Sequence, residues 1–220
     1  MRIMQLHRSF CAGGCVLWLW LAGAIGAELP APIKLDAPDL KRGQPLMQAL
    51  QARQSRRKLD ARPLSARDLG DLLWAACGVN RPADGRRTAP TAVNWQEIDV
   101  YAALPDGLYL YDAAAHQLQP VLAGDLRPQT GRQPFVGKAP VVLIYVADLA
   151  RMTRGDADSK AFYSSVDTGF ISQNVYLFCA SENLATVVLG NLEKAALGQA
   201  MRLRPEQKVI LTQPVGYPAD

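Results

Sequence analysis

The sequence predicts an α+β domain, an antiparallel or mixed sheet with helices packed on it. Three observations carry this. Ile98, Val100 and Ala102 alternate with Asp99, Tyr101 and Ala103, and after Pro105-Asp106-Gly107 comes Leu108-Tyr109-Leu110-Tyr111, the pattern of a β-hairpin. Ala139 to Asp148 is an apolar, β-branched run that reads as a central strand. Asp167 to Gly190 holds one internal charge, Glu182, and reads as a buried helix running into a buried strand or turn.

Composition bounds the rest. The 220 residues are 49% hydrophobic and 20% charged, ordinary for a globular chain and against disorder. A net charge of +4 is too small for a typical nucleic-acid binder. The basic residues gather in two windows, Arg53 to Arg62 and Arg81 to Arg87, which suit a small anionic group or a solvated surface.

Residues 1–27 read as a signal peptide. Arg2, His7 and Arg8 form a weakly basic start, Ala12 to Ala24 an apolar core, and small residues allow cleavage after Ala27. Export is the expectation, to the periplasm where there are two membranes. Residues 28–44 read as an extended arm and 45–220 as the folded domain. Pro45 to Arg53 is a short helix with Leu46, Met47 and Leu50 on one face. Ser65 is a good N-cap for a second helix ending at Gly78, with Asp68 at the capping-box position and Leu69, Leu72, Leu73 and Ala76 as its core stripe. Val79 to Gly85 is a polar loop and Arg86 to Gln96 a turn-prone segment. After the hairpin come a strand over 116–121, mixed structure over 124–137 and the central strand. A long helix follows over 160–183, then a strand or turn over 186–189, a helix over 192–201 and a last strand over 208–215.

Chemistry-bearing residues are sparse. Once the leader is removed, the remaining cysteines are Cys77 and Cys179, both in apolar contexts that suit buried thiols or, after export, a disulfide. With His116 the sole histidine there, neither a zinc site nor a histidine-based triad has its parts. No paired acids have suggestive spacing. Three groups stand out. Arg53, Ser55 and Arg57 could converge on a phosphate or be an exposed basic helix end. Arg87, Thr88, Pro90, Thr91, Ala92, Asn94 and Gln96 form a Pro-fixed polar loop, suited to a planar polar ligand or simply to the surface. Gln173 and Asn174 are adjacent amides inside an apolar run, and they either cap neighbouring elements or face a ligand. Any redox chemistry would belong to a bound cofactor.

In order, R-x-S-x-R, R-T-x-P-T-A-x-N-x-Q and G-x-x-x-Q-N before a long helix, with Leu72 to Pro82 (L-L-W-A-A-C-G-V-N-R-P) and Gln213 to Pro218 (Q-P-V-G-Y-P), resemble the nitroreductase family of flavin enzymes, and more closely its SagB-type dehydrogenase branch. The resemblance spans Leu46 to Pro218. It implies an FMN-containing homodimer with the flavin between subunits, a small-molecule substrate and commonly NAD(P)H as donor. It puts Arg53, Ser55 and Arg57 at the FMN phosphate and ribityl end, with Arg87 near the loop whose Pro90, Thr91, Ala92 and Asn94 lie along the isoalloxazine. Gln173 and Asn174 fall at the dimer and flavin interface, and Leu184 to Gly190, including Leu189, would present backbone amides to the ring. Thr91 stands where the family usually has Ser and Asn183 where it usually has Gly, and no late basic residue completes the phosphate site. A SagB-type protein would oxidise a peptide-derived heterocycle. A flavin-binding protein without redox activity is the third reading.

Overall fold

The computed structural model describes residues 28–219, so the leader lies outside the described residues. Seven strands form one sheet in the order β1 (Ile33–Lys34), β6 (Gln117–Ala123), β5 (Gly107–Asp112), β4 (Ile98–Ala103), β7 (Val141–Asp148), β9 (Gln207–Gly216), β8 (Ala185–Thr186). Every pairing in it is antiparallel. The helices are α1 (Leu46–Ala52), α2 (Ala66–Cys77), α3 (Ala157–Ser181) and α4 (Lys194–Ala200).

The apolar run of β7 has a direct cause. Val141, Leu143, Tyr145 and Ala147 pack on one core with α2 and α3, while Val142, Ile144 and Val146 pack on another with α4 and Val136. A strand covered on both faces needs no polar side. The same holds for β4, where Tyr101 and Ala103 are buried opposite Val100 and Ala102. Period two there marks two buried faces rather than one wet and one dry.

Ser65 caps α2 as expected, its Oγ accepting from Asp68 N–H at 2.9 Å. Asp68 does not close the capping box itself. Its Oδ2 accepts from Tyr217 O–H at 2.7 Å, and the Tyr217 oxygen accepts from Ser65 N–H at 3.3 Å. The carboxylate thus reaches the first turn through a tyrosine from the C-terminal Q-P-V-G-Y-P segment. Gly78 ends α2 in extended backbone (φ −71°). It is needed because a Cβ there would run into the Trp74 ring, not because the chain turns left-handed.

Three expectations change. Val79 to Arg87 is a small hairpin of β2 (Val79–Arg81) and β3 (Arg86–Arg87) rather than only a loop. The arm contributes β1 to the sheet edge. It is also pinned by Arg42, which pairs with Asp68, Asp71 and Glu182. Burial works against the Arg42 charge, but hydrogen bonds to those three carboxylates more than offset it and hold its pKa above the ordinary value. Finally, α3, poor in charge after Asp167, is not buried all round. Ile171, Val175 and Cys179 face the core, while Phe162 and Phe170 are 63% and 43% exposed. The helix carries apolar residues on a face that this chain does not cover.

Candidate functional site

The chain leaves α1 at Arg53 and runs toward β8. Arg56, between the three predicted phosphate residues, is spent on structure: its N–H donates to Thr186 O at 2.8 Å and its Nη1 to Asn183 Oδ1 at 3.2 Å. Asn183 sits at φ 52°. Asn tolerates this left-handed geometry better than most side chains, so it serves where glycine would otherwise be expected. Arg53 lies 5.4 Å over the Tyr176 ring. Among the described residues neither Arg53 nor Arg57 forms an ion pair; Arg53 is half-buried and Arg57 exposed. Ser55 Oγ is 2.9 Å from Tyr176 Oη, which accepts from Val188 N–H at 2.9 Å. Either hydroxyl can donate in the Ser55–Tyr176 bond, and Tyr176 fixes where Ser55 Oγ sits. Two unpaired guanidinium groups and one hydroxyl form a set suited to an anionic oxygen group.

On either side of β8 the backbone is mostly committed. Leu184 N–H donates to Cys179 O at 2.7 Å, and Leu189 exchanges both backbone bonds with Thr212, at 2.7 and 3.1 Å. Leu189 therefore has no amide to offer a ligand. Gly190 is exposed, and its N–H has no partner among the described residues.

The second group is built around the N-terminal half of α3. Arg87, at the end of β3, donates from Nη1 to Cys77 Sγ at 3.2 Å, and its buried Nε has no protein partner. Pro90 is exposed. Thr91 O–H donates to Glu97 Oε2 at 3.0 Å and its oxygen accepts from Gln96 N–H at 3.1 Å. Ala92 N–H donates to Asp167 Oδ2 at 2.9 Å. Asn94 Oδ1 accepts from Gln96 Nε2 at 3.2 Å, and Thr88 O–H donates to Trp74 O at 3.2 Å. Val93, Asn94 and Gln96 have φ of 43°, 60° and 49°. For β-branched Val93 this is a strained geometry, costing about 1–3 kcal/mol.

Glu97 and Asp167, which the sequence did not single out, lie together here at 0% and 3% exposure. They are 70 positions apart, so no spacing rule could find them. Burial first, and then the charge of Asp167, push the Glu97 carboxyl above the usual range. Tyr176 was likewise missed, because in sequence it is one more aromatic on an apolar helix.

The two amides fall between these groups. Gln173 is exposed and Asn174 half-buried, and neither side chain has a hydrogen bond among the described residues, so the expectation of a buried amide pair is corrected. Asn174 lines a cavity of about 570 Å³ between the arm, α2 and α3, with Arg42, Trp74 and Phe178. From Asp167 to Tyr176 is roughly 13 Å along the helix axis at its usual rise. One chain thus sets its predicted site residues along α3 as two separate clusters with free amides between them. Cys77 and Cys179 are buried free thiols. Among the described residues no cluster of His, Cys, Asp or Glu could hold a metal, and no helix is long and apolar enough to cross a membrane.

A Ralstonia eutropha crystal structure provisionally named a nitroreductase is 43% identical, with a TM-score of 0.82 over 86% of this chain and 90% of that one. A Methanocaldococcus jannaschii protein, also provisionally named a nitroreductase, is 28% identical across 84% of this chain and 96% of its own length. Two structures share the fold at low identity. They are an NADPH:FMN oxidoreductase from Vibrio harveyi, complexed with NAD+ (18%, TM-score 0.60, 80% of this chain and 69% of that one), and the Escherichia coli microcin synthetase McbBCD complex (19%, TM-score 0.66, 74% and 68%). The model of the nitroreductase family matches residues 50–217, from the phosphate-suited segment to the Tyr217 lock. The chain belongs to the nitroreductase family.

Proposed function

We propose that the protein is an exported, homodimeric FMN-dependent oxidoreductase that transfers a hydride between a reduced donor and a small organic acceptor. Membership of a family whose members typically bind flavin supports the cofactor. The observation that carries it in this chain is the open donor set at Arg53, Ser55 and Arg57, with the Ser55 hydroxyl oriented by Tyr176. These residues would hold the FMN phosphate and ribityl end. Pro90, Thr91, Ala92 and Asn94 would line the ring, with Gly190 N–H, Gln173 and Asn174 as available polar contacts. When bound, the flavin supplies two-electron hydride chemistry. The protein's part is to bind, to orient and to exclude water.

The homodimer is supported by the uncovered apolar residues of α3, Phe162 and Phe170, and of α1, Leu46 and Met47 at 62% and 74% exposure. Apolar surface of this kind marks an interface. A second copy against α3 would also bring a second set of loop residues toward the first copy's arginines. Export rests on the leader pattern over 1–27. NAD(P)H is the donor implied by the Vibrio harveyi relative's name, although it is scarce outside the cytoplasm, so export favours another reductant. Oxidation of a peptide-derived heterocycle is the second reading. It is favoured by the shared fold of the McbBCD structure, which has truncated pro-MccB17 bound.

The absorption spectrum of the purified protein tests the cofactor. FMN near one per subunit is expected, with a sedimentation mass of two chains. A colourless protein that takes up no added FMN rejects the reading. Anaerobic bleaching by NADPH or NADH then separates an ordinary reductase from an enzyme with another donor.

A further inference from the structure

The loop over Thr91 to Gln96 holds an unfavourable backbone, and something must hold it there. Two side chains do so from below. Thr91 O–H is anchored on Glu97 Oε2 at 3.0 Å, and Ala92 N–H on Asp167 Oδ2 at 2.9 Å. The two anchors come from different elements, the start of β4 and the middle of α3. Glu97 Oε1 has no protein hydrogen-bond donor, and the space shared with Cys77, Arg87, Thr91 and Asp167 is about 10 Å³, the room of one water at most. Fully buried, with one oxygen unpartnered and a second acid lining the same space, the Glu97 carboxyl is costly to ionise.

We propose that Glu97 holds a proton and acts with Asp167 as a carboxyl latch that keeps the Thr91–Gln96 loop, with its left-handed Val93, Asn94 and Gln96, in place, and so positions that loop against the flavin. The last clause rests on the flavin reading above; the latch itself does not. These are positioning residues, since neither is placed against a reacting atom.

The groups around the pair bear on the Glu97 proton. From β3, Arg87 faces the cavity, with Nη1 committed to Cys77 Sγ and its buried Nε without a partner among the described residues. From α2, burial pushes the Cys77 thiol up, so it remains neutral. From β4, Asp99 is paired with Arg151 at 2.8 Å. A neutral Glu97 adds no charge to this buried pocket, whereas an ionised one would leave an unpartnered charged oxygen there. Burial and the Asp167 charge, which raise the Glu97 carboxyl, agree in direction. The sign follows. A carboxyl raised in the folded state keeps its stabilising proton below its unfolded value and loses it as pH rises through the folded one. The latch is therefore closed in acid and released toward alkaline pH.

Hydrogen exchange of the 90–97 segment in the full chain tests this, expressed as protection factors so that the intrinsic pH dependence divides out. In the wild type, protection should fall at least tenfold as pH rises through one transition. An infrared carbonyl band of a protonated acid should vanish over the same range. Glu97→Gln keeps a neutral, hydrogen-bonding side chain and should show flat protection and no such band. Asp167→Asn removes the like charge and should shift the transition to lower pH. FMN titration reads the positioning role: at alkaline pH, wild-type affinity should drop at least fivefold relative to Glu97→Gln. Flat protection in the wild type, or a transition retained in Glu97→Gln, overturns the latch. If FMN binds at no pH, the flavin reading fails, while the exchange experiment still judges the latch.

Discussion

The two ends of α3 treat polar groups in opposite ways. Around Tyr176 they are left open: among the described residues Arg53 and Arg57 lack ion pairs, and Ser55 Oγ has only Tyr176 Oη as a partner. Around Asp167 they are nearly all consumed, with Thr91, Ala92, Gln96 and Asn94 each engaged within the protein. An open cluster gains its partners from outside, so its worth appears on binding. A closed cluster fixes a shape, so its worth appears in folding and in the rigidity of the surface above it. The same helix supplies both because its core face carries Asp167 and Tyr176 on well-separated turns.

The largest effect should come from breaking the open end. Arg53→Ala with Arg57→Ala removes two charge-assisted contacts worth about 1.5–3 kcal/mol each, so FMN affinity should fall at least a hundredfold in a fluorescence titration. Retained affinity would remove these residues from the phosphate role. Next is Tyr176→Phe, which keeps the ring but strands Val188 N–H and frees Ser55. A loss of about 1–3 kcal/mol in urea unfolding is expected, together with weaker FMN binding. A change in binding without a change in stability would mean that Val188 finds another acceptor.

A smaller effect of the opposite sign tests the closed end. Val93→Gly places at φ 43° a residue that accepts it. It should raise the urea midpoint by an amount equivalent to about 1 kcal/mol or less, since glycine also loosens the unfolded chain. A decrease would show that the Val93 side chain, not its backbone, matters. The smallest effect belongs to neither end. Burial raises the Asp68 carboxyl, but Tyr217, Arg42 and Ser65 lower it further, leaving a depressed pKa. Its stabilisation is thus present above the ordinary carboxylate value and lost as pH falls through the depressed one. Exchange at residues 39–44 should accelerate in that acid range before the rest of the domain. Simultaneous loss would tie the arm to global unfolding.

What could be read in advance divides along physical lines. β7, the β4–β5 hairpin and the Ser65 cap were legible because local pattern determines them. So was the order of the basic, loop and amide segments. The Glu97–Asp167 pair was not, because its members meet only through the packing of α3 on the sheet. Leu46, Met47 and Leu50 show a second limit. Periodicity revealed an apolar face on α1 but not whether this chain covers it, and Met47 stands 74% exposed. The exposure of the amides at 173 and 174 was hidden for the same reason: a stretch poor in charge need not be buried all round.

The arm also bears on where the folded unit begins. Ile33 and Lys34 pair with Leu118 and Gln117, and this two-residue strand is what stands between β6 and solvent. A chain shortened to start at residue 45 would keep the whole match to the family, residues 50–217, but expose the β6 backbone at Gln117 and Leu118. Bare sheet edges recruit other strands. Trimming that looks harmless by sequence would then appear as self-association and precipitation.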